Sequence, residues 1–222
     1  MDSRIKRLTY LDADIFFFKS HKILLDELEA SGKEILITEH AYNYKDDRTE
    51  RNGRFCLQFL TISKTMDALA NLHLWQDQCR ECCYSYDFTG ETFGDQKYLN
   101  EWPDLYDKTV HILEKQEEAL GPWNIEFFLN WMGRDHYLVL YHFHSFRILN
   151  MNFLLLVVGF DVRQGLETLY RSYIGKLKEQ MLRLEAHYIQ VPLIPYLREY
   201  YLKTIKFGGI VYEHRDFSFI YR

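Results

Sequence analysis

Leu8-Thr9-Tyr10-Leu11-Asp12-Ala13-Asp14-Ile15-Phe16-Phe17-Phe18 is the stretch whose reading decides the fold. The apolar residues ahead of Asp12 and behind Asp14 predict a core strand, buried on both faces, that ends in two carboxylates. Side chains alternate faces in extended backbone, so Asp12 and Asp14 leave on one side with only the small Ala13 between them. Two carboxylates so placed can hold one hard divalent cation. Mg2+ or Mn2+ bound by a few protein oxygens keeps open positions for substrate phosphates and neutralises the charge of a departing diphosphate. The pattern itself is common: with 15 Asp among 222 residues, chance supplies roughly one Asp-x-Asp. Its setting gives it weight, because open α/β sheets bind ligands at the carboxyl ends of their strands. A turn closing a strand is the structural alternative for the same two residues.

Composition narrows the class. A 47% hydrophobic and 27% charged chain of this length is globular and long enough for one substantial core. One domain is expected, with residues 1–150 carrying the chemistry and 151–222 forming a C-terminal extension packed on it. The net charge is −5 and the Lys and Arg are dispersed, which sets nucleic acid aside as a partner. No apolar run approaches the ~18 residues of a membrane span. The longest, Phe153 to Val158, fits a buried strand. Met1-Asp2-Ser3-Arg4 is followed by no apolar signal region, so the expected compartment is the cytoplasm. Cys79, Cys82 and Cys83 crowd one turn with His73 upstream, yet a lone C-x2-C is a poor zinc signature. Ala68, Leu72, Trp75, Cys79, Cys82, Cys83 and Tyr86 recur at helical spacing, which predicts the buried stripe of one helix.

Along the chain, Ser20 to Ser31 reads as a helix capped by Ser20 and stopped by Gly32, and Glu34 to Thr38 as a second buried strand. This alternation predicts an α/β fold with a mixed, mostly parallel sheet flanked by helices. The polar segment Tyr44 to Arg54 reads as a solvent loop, Phe55 to Ser63 as an alternating strand, and Thr109 to Leu113 as another strand. Further on, Asn152 to Phe160 reads as a strand and Leu166 to Tyr188 as a long helix with one apolar stripe.

Three other stretches carry candidate chemistry. In Gly94-Asp95-Gln96, Gly94 allows a tight approach, and Asp95 either caps the helix that Pro103 ends or orients and deprotonates an acceptor hydroxyl. Gly121-Pro122-Trp123-Asn124 is a rigid turn. Its Trp123 either stacks on a pyranose beside the Asn124 amide or plugs the core. His136 to His144 reads as a central strand whose His142 and His144 point to one side, able to meet Asp12 and Asp14 across neighbouring strand ends.

With Tyr10-Leu11-Asp12-Ala13-Asp14, Gly53-Arg54-Phe55, Gly94-Asp95-Gln96-Lys97-Tyr98-Leu99, Pro122-Trp123-Asn124 and His142-Phe143-His144 in this order, the chain resembles a known family. This is the metal-dependent glycosyltransferases of the A-type nucleotide-diphospho-sugar fold, in the bacterial branch related to glycogenin-type enzymes. The resemblance spans about residues 5–150. It implies transfer of a sugar from a nucleotide-diphospho-sugar donor to a glycan or other hydroxyl acceptor. It further implies Mn2+ or Mg2+ held by Asp12, Asp14 and His142, with Asp95 and Gln96 near the anomeric carbon and acceptor. Gly94, Trp123, Asn124 and His144 are then substrate contacts. The chain departs from the family at Cys56, where many relatives carry Asn, and after His142, where glycogenin-type enzymes carry Lys-Pro-Trp.

Relatives have a nucleotide-binding half before the Asp-x-Asp strand, whereas eleven residues precede Asp12 here. The expectation is therefore the carboxyl-terminal part of a longer transferase, forming a homo-dimer or pairing with a separate amino-terminal segment. Two alternatives stay open: another metal-dependent nucleotidyl or phosphoryl enzyme, and a non-catalytic remnant acting as a binding module.

Overall fold

The computed structural model describes residues 4–84, 93–132, 137–148, 153–156, 167–186, 210–213 and 219–220. The chain divides into two compact units, Met1–His142 and Phe143–Arg222. In the first unit the elements run β1 (Arg7–Leu11), β2 (Ile15–Phe17), α1 (Lys22–Ser31), β3 (Ile35–Glu39), α2 (Thr49–Asn52) and β4 (Phe55–Ser63). They continue with α3 (Met66–Glu81), α4 (Trp102–Leu105), β5 (Val110–Ile112), β6 (Ala119–Leu120), α5 (Ile125–Met132) and β7 (Leu140–His142).

Two sheets result, ordered β1-β4-β3-β5 and β2-β7-β6. The α/β class with mixed sheets and flanking helices is what the structure has. The expected parallel majority is corrected: β1–β4, β3–β4 and β2–β7 are antiparallel, and only β3–β5 and β6–β7 among the pairings described in this unit are parallel. The reason lies between β3 and β4. A parallel return needs a crossover, usually a full helix. The polar segment there supplies only a 3-10 turn at Tyr44–Asp46 and the four-residue α2, so β4 comes back antiparallel.

β4 is the spine. It lies between β1 and β3, and all its residues but Ser63 are buried, so both faces are core where alternation had been expected. Phe55, Leu57, Leu60 and Ile62 pack with Ala68, Leu99 and Trp102, while Phe59 and Leu36 pack with Leu24 and Leu28 of α1 and with Val139 and Leu140. The β3–β4 register slips between Leu36 and Thr38, a bulge that lets Leu57 and Leu60 share a face. Each buried Leu or Ile contributes about 1.5–3 kcal/mol. An exposed pair such as Arg7–Glu29 contributes ~0–1 kcal/mol, so these two clusters hold the unit together.

β1 is not the doubly buried strand that the sequence predicts. It pairs with β4 at the edge of its sheet, and Leu8, Tyr10 and Leu11 are each about two-fifths exposed. Three helix ends also differ. His21 takes the N-cap place of α1 while the Ser20 hydroxyl accepts from the Lys22 amide, and Pro103 opens α4 instead of ending a helix. α3 buries Ala68 and Asn71 and ends at Glu81. Cys82 and Cys83 therefore lie beyond it, with Cys83 exposed, and none of the four cysteines is in a disulfide. Tyr86 of the expected stripe lies outside the described residues.

The second unit has β8 (Arg147–Ile148), β9 (Phe153–Leu156), α6 (Glu167–Ala186), β10 (Ile210–Glu213) and β11 (Phe219–Ile220). Its sheet, β11-β10-β9-β8, is antiparallel throughout. Tyr170, Tyr173 and Met181 of the predicted α6 stripe are buried, with Phe143 stacked 3.9 Å from Tyr173 between ring centroids, whereas Leu184 of that stripe is exposed. Residues 157–160 of the expected strand, and Leu166 and Tyr188, lie outside the described residues.

Candidate metal centre

The chain leaves the first sheet at Leu11 and enters the second at Ile15, and Asp12-Ala13-Asp14 is the crossing. It is a turn, closed by the Ile15 amide donating to the Asp12 carbonyl at 3.3 Å, and not the extended strand end that was expected. The two readings of these aspartates are therefore combined: they make the turn, and the turn still brings an oxygen of each to within 3.7 Å of one imidazole nitrogen. β2 pairs with β7 so that Ile15 lies opposite His142. That register fixes His142 beside the turn. Its Nε2 is 3.0 Å from Asp14 Oδ1 and 3.7 Å from Asp12 Oδ2.

Donors bound side by side on an octahedral ion with ~2.1 Å bonds lie roughly 3 Å apart. The Asp14 oxygen stands at that spacing from His142 Nε2 and the Asp12 oxygen somewhat beyond it, while the donor atoms of all three do not come within 4.8 Å of one another. Two carboxylates with one imidazole suit Mn2+ better than Mg2+, which prefers oxygen alone. His142 is buried, while each aspartate side chain keeps almost a third of its surface exposed, enough to leave positions open to a substrate.

Other groups crowd this centre. Tyr10 donates its hydroxyl to Asp12 Oδ1 at 3.1 Å. Burial first, then the charge and hydrogen bond of Asp12, push the Tyr10 phenol up to about 12. Cys56, second in β4, sits with its Sγ 4.0 Å from His142 Nδ1, on the ring edge away from Asp14. Burial raises the Cys56 thiol strongly, and the charges of Asp12, Asp14 and Asp95 add to that. Burial also raises Asp95, against a hydrogen bond from its own backbone, and the Asp12 charge raises it further. Asp95 thus feels the centre electrostatically.

Asp95 caps nothing. The 3-10 turn after it begins at Lys97, with Gln96 at the cap position making no side-chain cap bond. Its carbonyl accepts from Trp75 Nε1 at 2.8 Å. Gln96 is spent on the loop before β4, donating Nε2 to the Asn52 carbonyl at 2.9 Å. Gly94 has φ +56°, the left-handed conformation for which glycine is suited.

Of the two readings given for Trp123 and Asn124, their placement matches the packing one. Both are buried. Asn124 accepts the Gly121 amide on Oδ1 at 2.9 Å and donates Nδ2 to the His40 carbonyl at 2.8 Å. Trp123 is wedged edge-to-face between His40 and His142, 5.2 Å from each ring centroid. Its indole covers Gly121, where an added Cβ would fall 2.5 Å from the ring. Trp123 therefore supports His142. The predicted strand from His136 to His144 shrinks to β7, with His136 outside the described residues and His144 in the second unit.

His40, Tyr10 and Cys56 were not assigned to the site from sequence. His40 had a legible signal, since it directly follows β3 as His142 closes β7. Cys56 had none, because its approach to His142 depends on how two separate sheets face each other.

No protein-family model matches the chain. The chain is similar to the uncharacterized protein YfnD of Bacillus subtilis (strain 168), with 25% identity over 187 residues, covering 80% of this chain and 59% of YfnD. It thus spans about three-fifths of the length of that curated relative. No helix among the described residues is long and apolar enough to cross a membrane.

Proposed function

We propose that residues 1–142 carry the metal- and acceptor-binding part of a glycosyltransferase that uses a nucleotide-diphospho-sugar donor. The observation that carries this is the approach of Asp12 and Asp14, from a turn between two sheets, to the same ring nitrogen of His142 at 3.7 and 3.0 Å. The ordered motifs that resemble metal-dependent glycosyltransferases support it from the sequence side. Asp12, Asp14 and His142 would hold Mn2+ or Mg2+, which when bound supplies neutralisation of the leaving diphosphate. Asp95 is the protein group suited to take the proton of the acceptor hydroxyl, because burial and Asp12 make its carboxylate more basic than an exposed one. Trp123 and Tyr10 act on the ligands, holding His142 by ring contact and Asp12 by a hydrogen bond. Recognition of the nucleotide base by a segment outside these 222 residues belongs to the same proposal, given the greater length of YfnD.

The test is Mn2+-dependent release of nucleoside diphosphate from a panel of nucleotide sugars, with Asp14→Ala as the control. Release that needs both Mn2+ and Asp14 is the expected result, slow if the base is held elsewhere. Turnover of a nucleoside triphosphate instead would favour a nucleotidyl or phosphoryl enzyme. Metal binding without turnover of either would favour a binding module.

A further inference from the structure

Cys56 is a side chain in contact with His142 that the transferase reading leaves without work. Its position is fixed: it lies inside the doubly buried β4, with its carbonyl accepting from the Thr38 hydroxyl at 3.1 Å and its thiol free of any disulfide. Ligand atoms of Asp12, Cys56 and His142 all lie within 4.8 Å of one another. With ~2.3 Å bonds to sulfur and ~2.0 Å to nitrogen, ligands around one tetrahedral Zn2+ lie roughly 3.5 Å apart. The 4.0 Å from Sγ to His142 Nδ1 is close to that spacing.

We propose that the centre has two overlapping donor sets: Asp12, Asp14 and His142 Nε2 for an oxygen-preferring ion, and Asp12, Cys56 and His142 for a thiophilic one such as Zn2+ or Co2+. This rests on reading the cluster as a metal centre, and it holds whatever reaction the centre serves. The imidazole is what joins the sets, since Asp14 faces one ring nitrogen and Cys56 the other. When Nδ1 and the thiolate hold the ion, Nε2–H is left to donate to Asp14 at its present 3.0 Å. That is the carboxylate–imidazole–metal arrangement common at metal centres. Binding in this mode breaks the S–H bond, forms a metal–sulfur bond and releases the proton to solvent. Thiolate selects Zn2+ and its neighbours over Mg2+ and Mn2+, so Cys56 makes the identity of the bound ion depend on metal supply.

The probe is Co2+ alone on the full chain, read as thiolate-to-metal charge-transfer absorption in the near ultraviolet, with binding measured separately by equilibrium dialysis. We expect the band in the native protein and in the C79S/C82S/C83S variant, loss of the band in C56S, and a Zn2+ affinity at least about tenfold weaker in C56S. Co2+ bound to the native protein without the band, or a band that survives C56S, overturns the inference while leaving the oxygen-preferring centre standing. Absence of both Co2+ and Mn2+ binding overturns both readings together.

Discussion

His142 Nε2 lies 3.0 Å from Asp14 Oδ1, although the two residues stand near opposite ends of the first unit. The approach is produced by strand register. Ile15 is paired with His142 across β2 and β7, so the residue before Ile15 must fall beside the imidazole. A slip of one residue in that pairing would turn the β2 side chains to the opposite face and separate the donors. The approach of Asp14 to His142 is thus built into the smaller sheet.

Asp95 makes no capping bond, so Asp95→Asn should leave the fold intact and remove only its basicity. We expect turnover to fall by roughly 10²-fold or more, in keeping with loss of a positioned general base, at an unchanged melting temperature. A melting temperature that falls in step with turnover would make Asp95 a structural residue.

Gly121→Ala tests the wedge that holds His142. The new methyl would sit 2.5 Å from the Trp123 ring, and Trp123 is bounded by His40 and His142. Overpacking of this kind costs about 1–3 kcal/mol. At ~2–4 °C per kcal/mol for a chain of this size, the loss is readable by thermal unfolding. An unchanged midpoint would mean that Trp123 is not packed on Gly121.

Glu118 provides a pH test away from the centre. Its side chain is buried, its Oε2 has no hydrogen-bond partner among the described residues, and Lys115, largely exposed, approaches its carboxylate at 3.9 Å. Burial raises its carboxyl, Lys115 lowers it in part, and Glu27 raises it again. Between the ordinary glutamate value near ~4.3 and its raised value, the folded chain keeps a proton that the unfolded chain has lost. Stability therefore falls as pH rises through that window, and above it the cost is full. Glu118→Gln should raise the melting temperature at neutral pH, with the gain vanishing as the pH is lowered through the window. A lower melting temperature for the variant at neutral pH would contradict this.

How much of this was legible in the sequence follows from what a one-dimensional pattern can hold. The apolar runs that became β3, β4 and β5, and the polar residues that end such runs, are local signals, which is why the approach of Asp12 and Asp14 to His142 could be anticipated. The exposure of Leu8 and Leu11 was not legible, because a strand is an edge or a centre only through its partners. The inward turn of Trp123 was not legible either. Gly-Pro-Trp-Asn specifies a rigid turn, but which side the indole takes is settled by Gly121 beneath it and His40 beside it.

The most direct test of the metal centre is calorimetric titration of Mn2+ into the native chain and its Asp12→Ala, Asp14→Ala, His142→Ala and His144→Ala variants. We expect native binding to be stoichiometric. Each of the first three variants should lose more than the ~10–100-fold that outer partners of a metal typically carry, and His144→Ala should lose less. Mn2+ affinity equal to native in all four variants would contradict the assignment of Asp12, Asp14 and His142 as a metal centre.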